Sequence, residues 1–78
     1  MLLYQYLKEL INMDMTKAQK IFHQYLLKNM EMTNYDIEQA IIRMRNKWKV
    51  APPELIHAMR DLSTIEKNQV ICELALPF

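Results

Sequence analysis

The absence of glycine is the feature that most constrains how this chain of 78 residues folds. Glycine supplies the left-handed backbone of tight hairpin turns, and it lets a backbone approach a bound phosphate closely. Without glycine, two-residue hairpins, phosphate-cradling loops and the close approach of a backbone to a substrate are disfavoured.

Apolar residues recur at helical spacing through most of the chain. In the first such stretch Leu3, Leu7 and Leu10 form one stripe, which predicts a helix over residues 2–11. A chain of this length has room for one core, because a small domain buries only part of its surface. We therefore predict an all-α fold, a single small domain of four to five short helices in a compact bundle. The later helices are expected from residue 16, from residue 33, over residues 54–61 and from residue 63.

Helix starts are marked by side chains that can bond free backbone amides. Residues 16–19 (TKAQ) and 63–66 (STIE) each fit a capping box. In this motif the side chains of the first and fourth residues each accept a hydrogen bond from the backbone amide of the other residue. Residues 33–36 (TNYD) are a weaker version with Thr33 as the cap. In a chain without glycine, Asn29 is expected to end the preceding helix in a left-handed conformation.

The C-terminal segment fits two interpretations. Val70, Cys72, Leu74 and Leu76 alternate with other residues, as they would in a strand. A lone strand cannot satisfy its backbone hydrogen bonds, and the cap at Glu66 indicates a helix. We therefore favour a helix over residues 69–76.

Enzyme chemistry has little support in the sequence. The candidate reactive side chains are Cys72, His23 and His57, but no glycine-containing loop holds a backbone near a substrate. His57 and Asp61 can share one helix face, yet zinc normally takes four ligands at recognisable spacings. We expect a non-enzymatic protein without cofactor, metal or small-molecule substrate.

The sequence predicts a cytoplasmic protein without a membrane partner. No segment reaches the ~20 apolar residues that a membrane span needs. The apolar start of the chain is interrupted by Lys8 and Glu9, which is atypical of a signal peptide. The single cysteine, Cys72, cannot form an internal disulfide and suits a reducing compartment.

Protein binding is the main functional hypothesis. Tyr35 and Ile42 are seven residues apart, away from the predicted core stripe of the same helix, and Tyr4 and Ile11 have the same spacing. Methionines near the expected turns, Met30 and Met32 among them, suit an adaptable contact surface. The expected function is that of a regulator or inhibitor that covers a working surface of another protein, or of a second copy. The predicted contact residues are Tyr4, Ile11, Tyr35 and Ile42, surrounded by Glu38, Gln39 and Arg43.

DNA binding is the alternative hypothesis. Residues 16–48 fit a helix-turn-helix in which residues 33–47 form the recognition helix. The net charge of only +1 disfavours this interpretation, and so do the acidic Asp36 and Glu38 near the start of that helix. The DNA contacts would come from Lys17, Lys20, Lys28, Asn34, Gln39, Arg43, Asn46 and Lys47.

Residues 43–49 (RMRNKWK) place one tryptophan among four basic side chains. A tryptophan in a basic run can stack a base of single-stranded nucleic acid. However, Trp48 continues the helical spacing of Ile41 and Met44, so we expect it in the core.

Overall fold

The computed structural model describes residues 15–76, which form four α-helices and one short 3₁₀ helix. This part of the chain contains no strand, so the all-α prediction is confirmed. The helix predicted over residues 2–11, with Tyr4 and Ile11, lies outside the described residues. The elements are α1 (Lys17–Met32), α2 (Ile37–Asn46), the 3₁₀ helix (Trp48–Val50), α3 (Pro53–Asp61) and α4 (Thr64–Ala75).

α1 is the central element, because it packs against each of the other three α-helices. Leu26 and Met30 of α1 and Val70 of α4 are the largest fully buried side chains. Removal of their apolar surface from water is the main force that holds the helices together. The core also contains Phe22, Ala40, Met44, Leu55, Leu62 and Leu74.

The helix starts at residues 16 and 63 were predicted correctly. The Thr16 hydroxyl accepts a hydrogen bond from the Gln19 amide at 3.1 Å, and the Gln19 side chain accepts from the Thr16 amide at 2.9 Å. Ser63 and Glu66 exchange the same two bonds. The second box begins α4, which continues to Ala75, so the C-terminal segment is a helix and not a strand.

The prediction that Asn29 ends α1 is wrong. The side-chain amide of Asn29 donates to the Tyr25 carbonyl inside the helix, which continues for three more residues. The left-handed residues are Asn34 and Tyr35, with φ of 58° and 64°. The Tyr35 amide donates to the Met30 carbonyl at 2.7 Å, the bond that closes a Schellman-type helix end. An asparagine does replace glycine at the helix end, but it is Asn34.

The predicted cap at Thr33 is also wrong. Thr33 ends α1, where its hydroxyl donates to the carbonyls of Asn29 and Met30. α2 is capped by Asp36, whose carboxylate accepts from the Gln39 amide at 3.1 Å. The left-handed turn separates the two positions, so residues 33–35 belong to the end of α1 and not to α2.

Trp48 and Met30 also differ from their predicted environments. α2 ends at Asn46, and the change to a 3₁₀ helix takes Trp48 off the α-helical stripe of the buried Ala40 and Met44. Trp48 is 39% exposed, so it is not the core residue that the spacing indicated. Met30 lies in the last turns of α1 and is fully buried, so it is not available for contact.

Candidate functional site

Exposed large apolar side chains concentrate between residues 32 and 50. Met32 is 62% exposed, Ile42 42% and Val50 78%. Tyr35 and Trp48 lie in the same stretch, and within the described chain only Ile65 and Leu76 are comparable residues elsewhere. Because folding leaves these side chains in water, this region is the first candidate for contact with a partner.

A groove of about 290 Å³ runs from the C-terminal half of α1 past α2 to the segment before α3. Lys28 of α1, Arg43 of α2 and Lys47, which directly follows α2, line it together with the exposed Met32 and Val50. None of the described residues that line the groove is acidic. The groove therefore combines apolar surface with three positive charges.

Another depression adjoins this groove on α2. Gln39, Ile42 and Asn46 line it together with Arg43 and Lys47, which also line the groove. The shared residues make the two depressions one continuous surface. We call it the basic-apolar face, and its principal residues are Lys28, Met32, Ile42, Arg43, Lys47 and Val50.

The three cations of this face have no ion-pair partner among residues 15–76. The Nε atom of Arg43 is buried and lacks a hydrogen-bond partner in the same part of the chain. A buried donor without an acceptor is unfavourable, but an atom closed off from the surface cannot itself contact a ligand. The capacity of the face for an anion comes from its three cations without ion pairs, of which Arg43 pairs best with a carboxylate or phosphate.

Tyr25 connects the edge of the groove to α3. Its hydroxyl donates to the Glu54 carboxylate at 2.7 Å. That hydrogen bond raises the pKa of the Tyr25 hydroxyl above its ordinary value of 10.0, and burial and the negative charge of Glu54 act in the same direction. The bond also gives the Glu54 carboxylate a hydrogen-bond partner. Glu54 belongs to α3 and lines a different groove, together with Lys17.

The structure brings part of the predicted protein-binding set together. Gln39, Ile42 and Arg43 lie side by side on the basic-apolar face. Glu38 is exposed one turn before Ile42, and Tyr35 is exposed in the turn that precedes α2. The remaining predicted residues, Tyr4 and Ile11, lie outside the described part of the chain.

The predicted DNA-binding set is divided. Lys17 lines a separate groove beside Glu54 and Asp61, and Lys20 is exposed eight residues before Lys28 on α1. Asn34 lies in the turn and not in a recognition helix, because α2 begins only at residue 37. The residues that do meet on the basic-apolar face are Lys28, Gln39, Arg43, Asn46 and Lys47.

The sequence does not predict three principal residues of the face as protein contacts: Lys28 and Lys47 are predicted only as DNA contacts, and Val50 is in neither set. Lys28 and Val50 reach the face through tertiary packing, since α1 folds back on α2 and Val50 follows α2 in the 3₁₀ helix. The only sequence signal for Val50 is its position directly before Ala51 and two prolines, where a large aliphatic residue follows the end of a helix.

The candidate reactive side chains do not form a common site. His23 Nε2 lies 3.6 Å from Glu73 Oε2 between α1 and α4, and Cys72 is a half-buried free thiol. His57 and Asp61 are exposed and line the groove that contains Lys17. Within residues 15–76 no three His, Cys, Asp or Glu side chains are grouped so as to hold a metal ion.

None of the helices in the described chain has both the length and the apolar character needed to cross a membrane. The sequence matches no protein-family model, no curated protein and no solved structure. The residues of the basic-apolar face are therefore the main indication of function.

Proposed function

We propose that this protein is a small non-enzymatic regulator or inhibitor that binds an acidic protein partner through the basic-apolar face. The observation that carries the proposal is the meeting of three cations with exposed aliphatic side chains, in a groove whose described lining is free of acids. Interaction sites typically combine an apolar centre with a polar rim, and opposite charges steer the partner and fix its orientation. Binding would act by occlusion, because the face would cover a working surface of the partner.

The apolar part of the face would provide the larger share of the binding energy. Ile42 lies between Gln39, Arg43 and Asn46, so a partner that covers it also meets polar side chains on several sides. Met32 adds a flexible side chain that can adapt to the shape of a partner. Ile42 is therefore the residue whose loss should weaken binding most.

The charge of the face favours a different protein over a second copy as the partner. In a symmetric dimer the same patch meets itself. Lys28, Arg43 and Lys47 would then oppose their own copies, with no acid in the described lining to offset the repulsion. An acidic partner meets the same three cations favourably. The proposal includes a cytoplasmic location, which the single free thiol of Cys72 supports.

The test is binding of defined peptides to the wild-type protein and to Ile42→Asp. One amphipathic helical peptide carries Leu at its apolar positions and Glu at its polar ones, and two matched peptides carry Gln or Lys in place of Glu. We expect the Glu peptide to bind tightest, and Ile42→Asp to weaken it at least ~10-fold, since about 1.4 kcal/mol corresponds to that factor. The matched control is Ile65→Asp, because Ile65 is 71% exposed but lies on α4.

Three results would contradict the proposal. The first is equal binding of the Glu, Gln and Lys peptides, which would mean that charge does not contribute. The second is an equal loss in Ile65→Asp, which would mean that any exposed isoleucine serves. The third is loss of helical circular dichroism in Ile42→Asp, which would place Ile42 in the core. If the face recognises a host protein, a pull-down with the wild type should also lose that protein in Ile42→Asp.

DNA binding remains a second candidate, because five of its predicted residues lie together on the basic-apolar face. Against it, the exposed start of α2 carries Asp36 and Glu38, where a recognition helix would approach the bases. The hypothesis predicts affinity for DNA that falls steeply with salt, and weaker binding by Arg43→Ala. The absence of a gel shift on genomic fragments at low salt would exclude DNA binding.

A further inference from the structure

A second cleft, of about 270 Å³, lies on the other side of α2, between α2, α3 and α4. Its floor is formed by Phe22 and Met44, which are buried. The half-buried Ile41, Met59 and Ile71 form its sides, together with the partly exposed indole of Trp48. We call it the Trp48 cleft.

The polar rim of the Trp48 cleft is cationic. Arg45 comes from α2 and Lys67 from α4, and Thr64 and Asn68 of α4 complete the rim. None of the described residues that line the cleft is acidic. Thr64 is the first residue of α4, whose start is already capped by Ser63 and by the Glu66 carboxylate, so the positive charge of the rim comes from Arg45 and Lys67.

We propose that the Trp48 cleft binds a small anion with an apolar body, namely a carboxylate with a medium-length aliphatic chain. The apolar floor and sides match the chain, and Arg45 and Lys67 match the carboxylate. A neutral chain would leave both cations unpaired, and a wholly polar anion would leave the half-buried apolar sides in contact with water. The volume is near the lower limit of small-molecule sites, which begin at about 300 Å³, and this limits the length of the chain.

This proposal does not depend on the proposed function. Of the residues that line the Trp48 cleft, only Met44 also lines the groove of the basic-apolar face. Met44 is a buried floor residue, and the cations of the two sites are different. Each site can therefore fail its test without affecting the test of the other.

Trp48 is the only tryptophan of the chain, so its fluorescence reports on the cleft directly. The experiment titrates the full chain with octanoate, below its micelle concentration, and with 1-octanol, which has the same number of carbons but no charge. We expect a saturable fluorescence change with octanoate, with about tenfold tighter binding than for octanol, because charge-assisted bonds form only with the carboxylate. The double variant Arg45→Gln/Lys67→Gln should bind both compounds equally.

Two further variants control for general effects of charge and shape. Lys49→Gln removes a cation next to Trp48 in the chain that does not line the cleft, so octanoate binding should not change. Asn68→Phe places a bulky side chain at the exposed rim and should abolish the saturable signal. Retained helical circular dichroism, together with the wild-type midpoint in urea, excludes misfolding of any variant.

Several outcomes would overturn the proposal. One is the absence of a saturable change with octanoate, and another is equal affinity of the wild type for octanoate and octanol. A third is equal weakening by Lys49→Gln and by the double variant, because the effect would then be general attraction. If oligothymidylate binds more tightly than octanoate and loses affinity in the double variant, the cleft is a nucleic-acid site, with Trp48 as a stacking platform.

Discussion

Two grooves flank α2, one lined by Arg43 and the other by Arg45. Residues two apart on an α-helix point in directions about 200° apart, so this Arg-Met-Arg sequence supplies one cation to each side and Met44 to the core between them. The first groove is bordered by exposed aliphatic side chains that a large partner can cover. The second has half-buried sides and an aromatic wall, which suit a ligand that enters it. The two grooves therefore carry similar charges but differ in shape, and we expect them to bind different kinds of ligand.

The largest expected effect is that of Met44→Ala, because Met44 forms part of the floor of both grooves. Met44 is 9% exposed, and truncation of a buried Met to Ala usually destabilises a protein by about 2–5 kcal/mol. We expect a loss of that size in the free energy of unfolding, measured in urea, and weaker binding at both grooves. The matched control for stability is Met32→Ala, an exposed site where a change within about 0.5 kcal/mol is expected. An equal loss of stability in the two variants would mean that Met44 does not support the grooves.

The next effect tests whether the two grooves are independent. Arg43→Glu and Arg45→Glu introduce the same charge change at positions two residues apart on one helix. We expect Arg43→Glu to weaken binding of the acidic peptide ~10-fold or more and to leave binding of octanoate unchanged. Arg45→Glu should weaken binding of octanoate and leave binding of the peptide unchanged. The reason is that a reversed charge repels only a ligand that binds close to it. The binding assays described for the two sites measure both effects.

Each arginine variant is the control for the other. If both variants weaken both ligands equally, the cations act through net charge alone, and the distinction between the grooves fails. Repeating the titrations in high salt provides a second check, because screening reduces differences between exposed charges. The difference between the variants should become smaller with salt but keep its direction.

The local parts of the fold were predictable from the sequence. The capping boxes at residues 16–19 and 63–66 form because their partners are three residues apart, so no tertiary information is needed. The left-handed turn between α1 and α2 was not predictable from local sequence in the same way. Asn29 and Asn34 are both suited to a left-handed helix end, and the choice depends on the bond from the Tyr35 amide to Met30 and on the burial of Met30.

The candidate sites were only partly predictable, and for a similar reason. Ile42, Gln39 and Arg43 are close together along one helix, so their common face follows from the helical period. Lys28 and Val50 join them only after α1, α2 and the 3₁₀ helix have packed. The Trp48 cleft needs side chains from all four α-helices and from the 3₁₀ helix. The sequence predicts Trp48 in the core because its spacing continues that of α2 beyond the actual helix end. A periodic pattern does not show where the helix stops.

The smallest effect concerns Tyr25, which separates the first groove from the Glu54 carboxylate. The pKa of the Tyr25 hydroxyl is raised in the folded state, chiefly by its hydrogen bond to Glu54, so folding favours the neutral phenol. The resulting stabilisation is fully present below pH 10.0, the ordinary pKa of tyrosine, and is lost as the pH rises through the raised value. We expect the stability difference between the wild type and Tyr25→Phe in urea to shrink over this alkaline range.

The ultraviolet titration of the tyrosines provides the control, because the Tyr25→Phe difference spectrum isolates one phenol among four. That phenol should titrate above pH 10.0, and Glu54→Gln should bring its pKa back toward this value by removing the negative charge. A phenol that titrates at its ordinary pKa in both proteins would mean that the bond does not hold Glu54 at the edge of the groove. Glu54 would then be able to approach Lys28, and the lining of the first groove would no longer be free of acidic side chains. The Trp48 cleft has neither Tyr25 nor Glu54 in its lining, so octanoate binding should not respond to either substitution.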